Sequence, residues 1–481
     1  MSKINRLRAM YLLIVLTVLG IQNLYSQISY ANVSNKNFSM GSYGRIGVDW
    51  SFENNGSIGQ RLNLNNMGSI GGRLEEQDYL ELAPSIHFKP FNDSDPTQIN
   101  VNFRFALYSN SLSLFGNSTS SSLGGLTLSI PEMYVEAKNI SGSGVNVWVG
   151  SRLYRGPDVH ITDHFYFNDH SGQGFGVEYK NTRFASLFIS STDTSATVPP
   201  YFYLNIASGT PSAALRQRNV FVLEHDIQLS EKQKITLLGE AHYMGNYLDE
   251  DIELPDTTDI ILDYESDYGL VAGVRLTSSI DKIGEGSNNQ IAVRYGSRIA
   301  NGGDGGMSRT WLTYGAPDLN KKNYEGAMSF SIVDDLLLNF SDKSSLNLYL
   351  IYNYSKGAAS SDSTAKTYFG REVFNQKKDL TVGFRHIRYV TDKFHLISEA
   401  HYSQRRDGVS PLNSMMKFSL APTLVPTGER SFWARPHLRF VTSVARYNDA
   451  AMDSLYSPYL ATVGAKRWGY YLGVKAEWWI N

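Results

Sequence analysis

Fifteen consecutive residues, Asp158 to Gly172, hold three acids (Asp158, Asp163, Asp169), three histidines (His160, His164, His170) and three aromatics (Phe165, Tyr166, Phe167), in a chain with only ten histidines. Histidines and carboxylates together are the ligands of metal centres. A pair of carboxylates is the equipment of general acid–base catalysis. Aromatic rings beside acids also suit sugars, whose C–H faces stack on rings and whose hydroxyls bond to charged groups. The spacing decides against the first option: it matches no familiar metal motif, and a catalytic site would need convergent geometry. The chain has no HExxH, no Gly-rich phosphate loop, no Ser–His–Asp arrangement and no cysteine. No metal, cofactor or enzymatic activity is expected.

The elements around this stretch fix its meaning. Lys3, Arg6 and Arg8 precede an apolar run from Tyr11 to Leu19, and polar residues follow to Gln27. This reads as a signal peptide over 1–27, because the run is too short to span ~30 Å of hydrocarbon. Its removal takes three positive charges from a net −2 and leaves −5. Such mild acidity gives no footprint for nucleic acid. The remaining residues, 28–481, show no second domain, fixed-period repeat or low-complexity linker.

Period-2 alternation recurs along the whole chain. Val101, Phe103, Phe105 and Leu107 oppose Asn100, Asn102, Arg104 and Tyr108; Ile46, Val48 and Trp50 oppose Tyr43, Arg45 and Asp49; Leu472, Val474, Ala476 and Trp478 oppose Lys475, Glu477 and Trp479. Similar segments lie near 134–140, 145–154, 174–190, 218–228, 233–243, 268–277, 289–299, 327–340, 345–355, 379–390, 394–404, 416–423 and 433–447. Charged residues stand in mid-strand on the polar face, and Trp50, Tyr108 and Trp478 lie at strand ends like an aromatic girdle. Short turns (230–232, 391–393) alternate with long polar loops (110–125, 191–213, 247–258, 356–377). This is the pattern of an all-β, closed antiparallel transmembrane barrel in a Gram-negative outer membrane, apolar toward lipid and polar toward water.

Three stretches resemble the maltoporin family of sugar-specific porins. Residues 42–50 are similar to its first strand. Val147 to Asp163, running on through Phe165 to Gly172, is similar to its strand and inward-folded third loop, the most specific element. Ser431 to Arg439 with Glu477 to Trp479 resembles its last strands. The resemblance spans 42–479 in order and implies about 18 strands, a homotrimer, and facilitated diffusion of maltose- and maltodextrin-like oligosaccharides. It implies an aromatic slide at Tyr43, Tyr79, Trp433 and Trp479, polar tracks at Arg45, Arg73, Glu81, Asp158 and Asp163, and a constriction at Phe165, Arg155 and His160. Outer-membrane lipid and a sugar are then the expected partners.

Several positions depart from the family. Phe165 stands where the family carries a constriction tyrosine. Pro131 and Gly156 stand at two track arginines, with Arg155 adjacent to the second. A slide phenylalanine falls near Ser287 or Asn288. Residues 110–125, where a neighbouring subunit would lend a tryptophan, contain only Phe115. Asp158 and Asp163 are either track residues or ionic latches to Arg45, Arg73 or Arg104. Two rival readings follow: a general small-solute or ion porin that has lost most of the slide, and an outer-membrane enzyme or adhesin whose loop acids converge on an open cleft.

Overall fold

The computed structural model describes residues 37–50, 59–88, 94–109, 126–189, 200–205, 210–215, 218–245, 266–302, 311–318, 320–321, 323–340, 342–360 and 374–480. The expected signal peptide at 1–27 and Phe115 in loop 110–125 lie outside the described residues.

Eighteen antiparallel strands close on themselves. In chain order they are β1 (Phe38–Trp50), β2 (Tyr79–Phe88), β3 (Gln98–Ser109), β4 (Leu126–Lys138), β5 (Val145–Arg152), β6 (Gly172–Tyr179) and β7 (Thr182–Ile189). A separate two-stranded hairpin follows, β8 (Pro200–Asn205) with β9 (Thr210–Leu215). The barrel resumes with β10 (Arg218–Ser230), β11 (Gln233–Met244), β12 (Asp267–Ser279), β13 (Asn288–Ser297), β14 (Met328–Phe340), β15 (Ser344–Lys356) and β16 (Gln376–Tyr389). It ends with β17 (Phe394–Asp407), β18 (Asn413–Leu424), β19 (His437–Tyr447) and β20 (Trp468–Ile480). The seam is β1 against β20, in the register Tyr43↔Trp479 and Arg45↔Glu477.

The side-chain alternation is a barrel turned inside out relative to a soluble protein. Val48, Leu128, Met133, Val149, Leu223 and Phe418 are exposed on the outer face, while Glu224, Glu240, Arg385, Glu399, Lys475 and Glu477 are buried on the inner one. Apolar area outside lowers the free energy only if lipid covers it.

Three details differ from the sequence expectation. The segment 174–190 is two strands, β6 and β7, folded at Lys180 with φ 51°. β2 escaped the alternation because Pro84 interrupts it; pairing with β3 lapses between Leu82 and Ser85. Trp433 lies before β19, in the turn 425–436, because the strand starts only at His437.

Loops fold into the bore and narrow it. Residues 153–171, between β5 and β6, cross it as expected: Tyr166 Oη donates to Gln290 Oε1 (3.3 Å) and His170 Nε2 meets Glu240 Oε1 (3.0 Å) on one wall. At the loop's other reach His160 meets Trp433, near the β20 wall. A second inward loop, 59–78 between β1 and β2, was not foreseen. Its Leu62, Leu64, Met67, Ile70 and Leu74 are buried in one apolar cluster with Met415, Tyr447, Tyr459 and Leu460. Lys417 Nζ donates to Asn63 Oδ1 (2.6 Å), Arg405 Nη1 to the Asn66 carbonyl (2.9 Å) and Tyr447 Oη to the Leu62 carbonyl (2.7 Å). Gly71 and Gly72 have φ of 102° and 105°, and a Cβ on Gly72 would sit 2.6 Å from His401 Nε2. Only glycine lets this backbone press onto the wall. Trp311, from the connection between β13 and β14, donates its Nε1–H to the Ser171 carbonyl (2.9 Å).

Candidate functional site

Aromatic rings cross neighbouring strands on the inner face near the seam. Tyr108 (β3) and Tyr79 (β2) are register partners, with ring centroids 6.1 Å apart. Tyr79 lies 5.8 Å from Tyr43 (β1), and Tyr43 is the register partner of Trp479 (β20). Trp479 lies 6.3 Å from Trp433, and Trp433 packs edge-on against Phe432 at 4.8 Å. The four residues expected to form the slide therefore lie in two ring pairs, Tyr79–Tyr43 and Trp479–Trp433, on neighbouring strands at the seam and in the turn before β19. Tyr108 and Phe432 extend them. Tyr108 was readable: it shares its face with Arg104, but its place at a strand end made it look like girdle. Phe432 carried no such signal, because it lies in a turn.

Charged groups border the rings. Arg45 Nη1 lies 2.9 Å and Arg73 Nε 3.0 Å from Glu76 Oε2. Both guanidiniums donate to Tyr43 Oη, at 3.1 and 2.8 Å, and Tyr43 Oη donates to Glu477 Oε1 at 3.3 Å. Glu477 also accepts from Arg439 (2.7 Å), and Arg435 and His437 lie 3.5 and 3.1 Å away. Arg435 stacks on Trp479, its guanidinium carbon 4.5 Å from the ring centroid. Arg104 bridges Glu81 (2.7 Å) and Glu132 (2.6 Å), and Tyr79 Oη bonds to Glu81. Burial works to raise the Glu76 carboxyl, but Arg45 and Arg73 outweigh it and hold it down at about 2. Glu76 and Glu477, the hubs of this network, were missed as track residues; nothing in a lone glutamate's strand or loop position marks it as a hub.

The loop residues divide. Asp163 lies 4.0 Å from Arg73, in a left-handed conformation at φ 49° that a short polar side chain tolerates. Asp158 makes no ion pair with Arg45, Arg73 or Arg104; its nearest ring nitrogen is His160 Nδ1, at 4.0 Å. Burial, with Asp163 adding to it, pushes the Asp158 carboxyl up to about 6. His160 is wedged among Trp433 (5.0 Å), Trp479 (6.0 Å) and Phe432 (6.2 Å). Burial first, and then Arg73, drives its pKa well below the ordinary value, so it lines the path as a neutral ring. Arg155 lies over Phe165, 4.1 Å from the ring centroid. His164 and His170 face other walls, and among the described residues no three His, Asp or Glu side chains are grouped to hold a metal ion.

Rings with centroids 4.8–6.3 Å apart, mostly tilted to one another and bordered by fixed donors and acceptors, can hold a polyhydroxylated solute weakly at several points. A family model described as LamB porin matches residues 38–479. Solved structures that are similar include Salmonella typhi OmpF in complex with daunomycin (10% identity, 92% of this chain and 98% of that chain covered, TM-score 0.40). Acinetobacter baumannii OccAB1 is similar at 11% identity, with 92% and 96% covered and a TM-score of 0.44. A loop-deletion form of Vibrio cholerae OmpT is similar at 9% identity, with 92% and 100% covered and a TM-score of 0.35.

Proposed function

The chain belongs to the LamB porin family and is a porin of the Gram-negative outer membrane, and on that premise we propose that it passes sugars, of the maltodextrin type, by facilitated diffusion. The observation that carries this reading is two groups of rings meeting at the seam, Tyr108–Tyr79–Tyr43 with centroids 6.1 and 5.8 Å apart and Trp479–Trp433 at 6.3 Å, joined by the backbone register of Tyr43 with Trp479. Isolated aromatics would bind a sugar once; rings about one sugar apart let it exchange one platform for the next.

In this reading Arg45, Arg73, Glu81 and Asp163 form the polar tracks, with Glu76 and Glu477 holding the arginines in place. Asp158 belongs to the lining rather than to a latch, since no wall arginine neutralises it. Phe165, Arg155 and His160 narrow the bore. Transport is passive: many weak contacts, each broken before the next, give selectivity without trapping. The working unit is a homotrimer in outer-membrane lipid.

The test is the ion current of single trimers in planar bilayers during titration with maltodextrins of increasing length. A block that strengthens with chain length supports the path. Current that no glycan blocks would overturn it and leave a general small-solute porin.

A further inference from the structure

One part of the outer wall is built unlike the rest. Lys356 on β15, Lys378 on β16, Arg406 on β17 and Arg446 on β19 are all exposed on the outward face. Each lies within three residues of the long-loop end of its strand, the extracellular end of an outer-membrane barrel. Lys378 and Arg406 are direct register partners, and like charges directly opposite each other destabilise a sheet. Among the described residues no carboxylate projects outward from β15 to β20 to relieve them. Lys378 rests over the Tyr354 ring at 5.6 Å and leaves its ammonium unneutralised.

Directly below, the same strands carry an apolar hollow of 660 Å³. Its floor is Ala400, whose register partners on the two sides are Phe384 and Phe418. A small residue between two large ones makes a slot. Val382, Tyr402 and Met416 continue it upward, and Arg446 and Trp468 line its upper end. Cations at the headgroup level above an apolar slot at acyl-chain depth are complementary to one kind of molecule.

We infer that the β15–β20 face is a binding site for a phosphorylated lipid of the outer leaflet. Its phosphate sits between Lys378 and Arg406, with Lys356 beside them, and one acyl chain lies along the Ala400 slot, whose upper end Arg446 flanks. The phosphate removes the repulsion that the register imposes, so the site is built to be occupied. This site does not depend on what the pore carries.

The full-length protein, in dodecyl maltoside, is titrated with diphosphorylated lipid A and, separately, with phosphatidylcholine, and binding is read by native mass spectrometry. Lipid A should bind at least tenfold more tightly than phosphatidylcholine. K378Q/R406Q/R446Q should remove most of that preference. A400W should weaken lipid A binding while leaving the cation row intact. Both variants should keep the heat-dependent gel mobility of a folded barrel and wild-type sugar block. Equal binding of the two lipids, or an unchanged preference in the triple variant, would overturn the inference. So would loss of the trimer in the triple variant, which would make this face a contact between copies.

Discussion

Trp433 offers the cleanest perturbation of the ring path. It is 44% exposed and lies in a turn, so Trp433→Ala leaves no cavity in the wall. An aromatic side chain buries roughly 150–250 Å² when fully covered. With 44% free, roughly 100 Å² remains for a solute, and one ring face is about half of that. At about 25 cal/mol per Å², 50 Å² is worth about 1.3 kcal/mol, or roughly ninefold in affinity. The half-blocking concentration of a maltodextrin should therefore rise roughly ninefold in Trp433→Ala. Trp433→Phe, which keeps a ring, should stay within about threefold, as the loss of part of one face implies. The assay is the current-block titration, with open-channel conductance as the control for folding. A half-blocking concentration unchanged in Trp433→Ala, with conductance preserved, would refute the claim that the solute stacks along this path.

Phe165→Tyr restores a hydroxyl at the narrowing and should strengthen sugar block; unchanged affinity would mean that this loop does not set the constriction. Asp158 gives a pH signature. Its folded value of about 6 lies above the ordinary 3.8, so ionisation costs stability as pH rises from about 4 to 6, and the cost is fully present at pH 7. Asp158→Asn should then raise the thermal midpoint at pH 7 but not at pH 4. In the wild type, cation preference, read as reversal potential in a salt gradient, should fall between pH 7 and pH 5, and Asp158→Asn should flatten that change. Glu477→Gln removes the shared partner of Arg435, Arg439 and His437. Breaking a buried ion cluster on one side costs about 3–5 kcal/mol, which should appear as barrel unfolding at lower temperature in a gel-mobility assay.

The barrel was legible because each strand solves the same problem locally. Ile46, Val48 and Trp50 face out and Tyr43, Arg45 and Asp49 face in whatever the neighbours are, and period-2 chemistry records it. Where one residue breaks the period, as Pro84 does in β2, or where the period runs through a tight turn, as at Lys180, the reading failed. The loop 59–78 was illegible for a different reason. Leu62, Leu64, Met67, Ile70 and Leu74 lack the period 2 of the strands, Leu64 to Leu74 carry a helix-like spacing where the chain makes turns, and their partners Met415, Tyr447 and Tyr459 lie more than 300 residues away. The ring path sits between these cases. Parity placed Tyr43, Tyr79 and Trp479 on the inner face, but only the seam register brings Tyr43 beside Trp479. The acids and histidines of 158–170 looked like one cluster in sequence; in three dimensions the loop hands them to different walls.

That seam has a consequence for biosynthesis. Tyr43 comes from β1 and Trp479 from β20, and Glu477, which gathers Tyr43, Arg435 and Arg439, lies on β20 as well. Before closure the rings are therefore split, Tyr108–Tyr79–Tyr43 on the first strands and Trp433–Trp479 at the last. Lys475 joins Asp49 across the same joint at 2.7 Å. A molecule stalled before closure has a wall but holds the two groups of rings apart, so closing the cylinder is the step that brings them side by side.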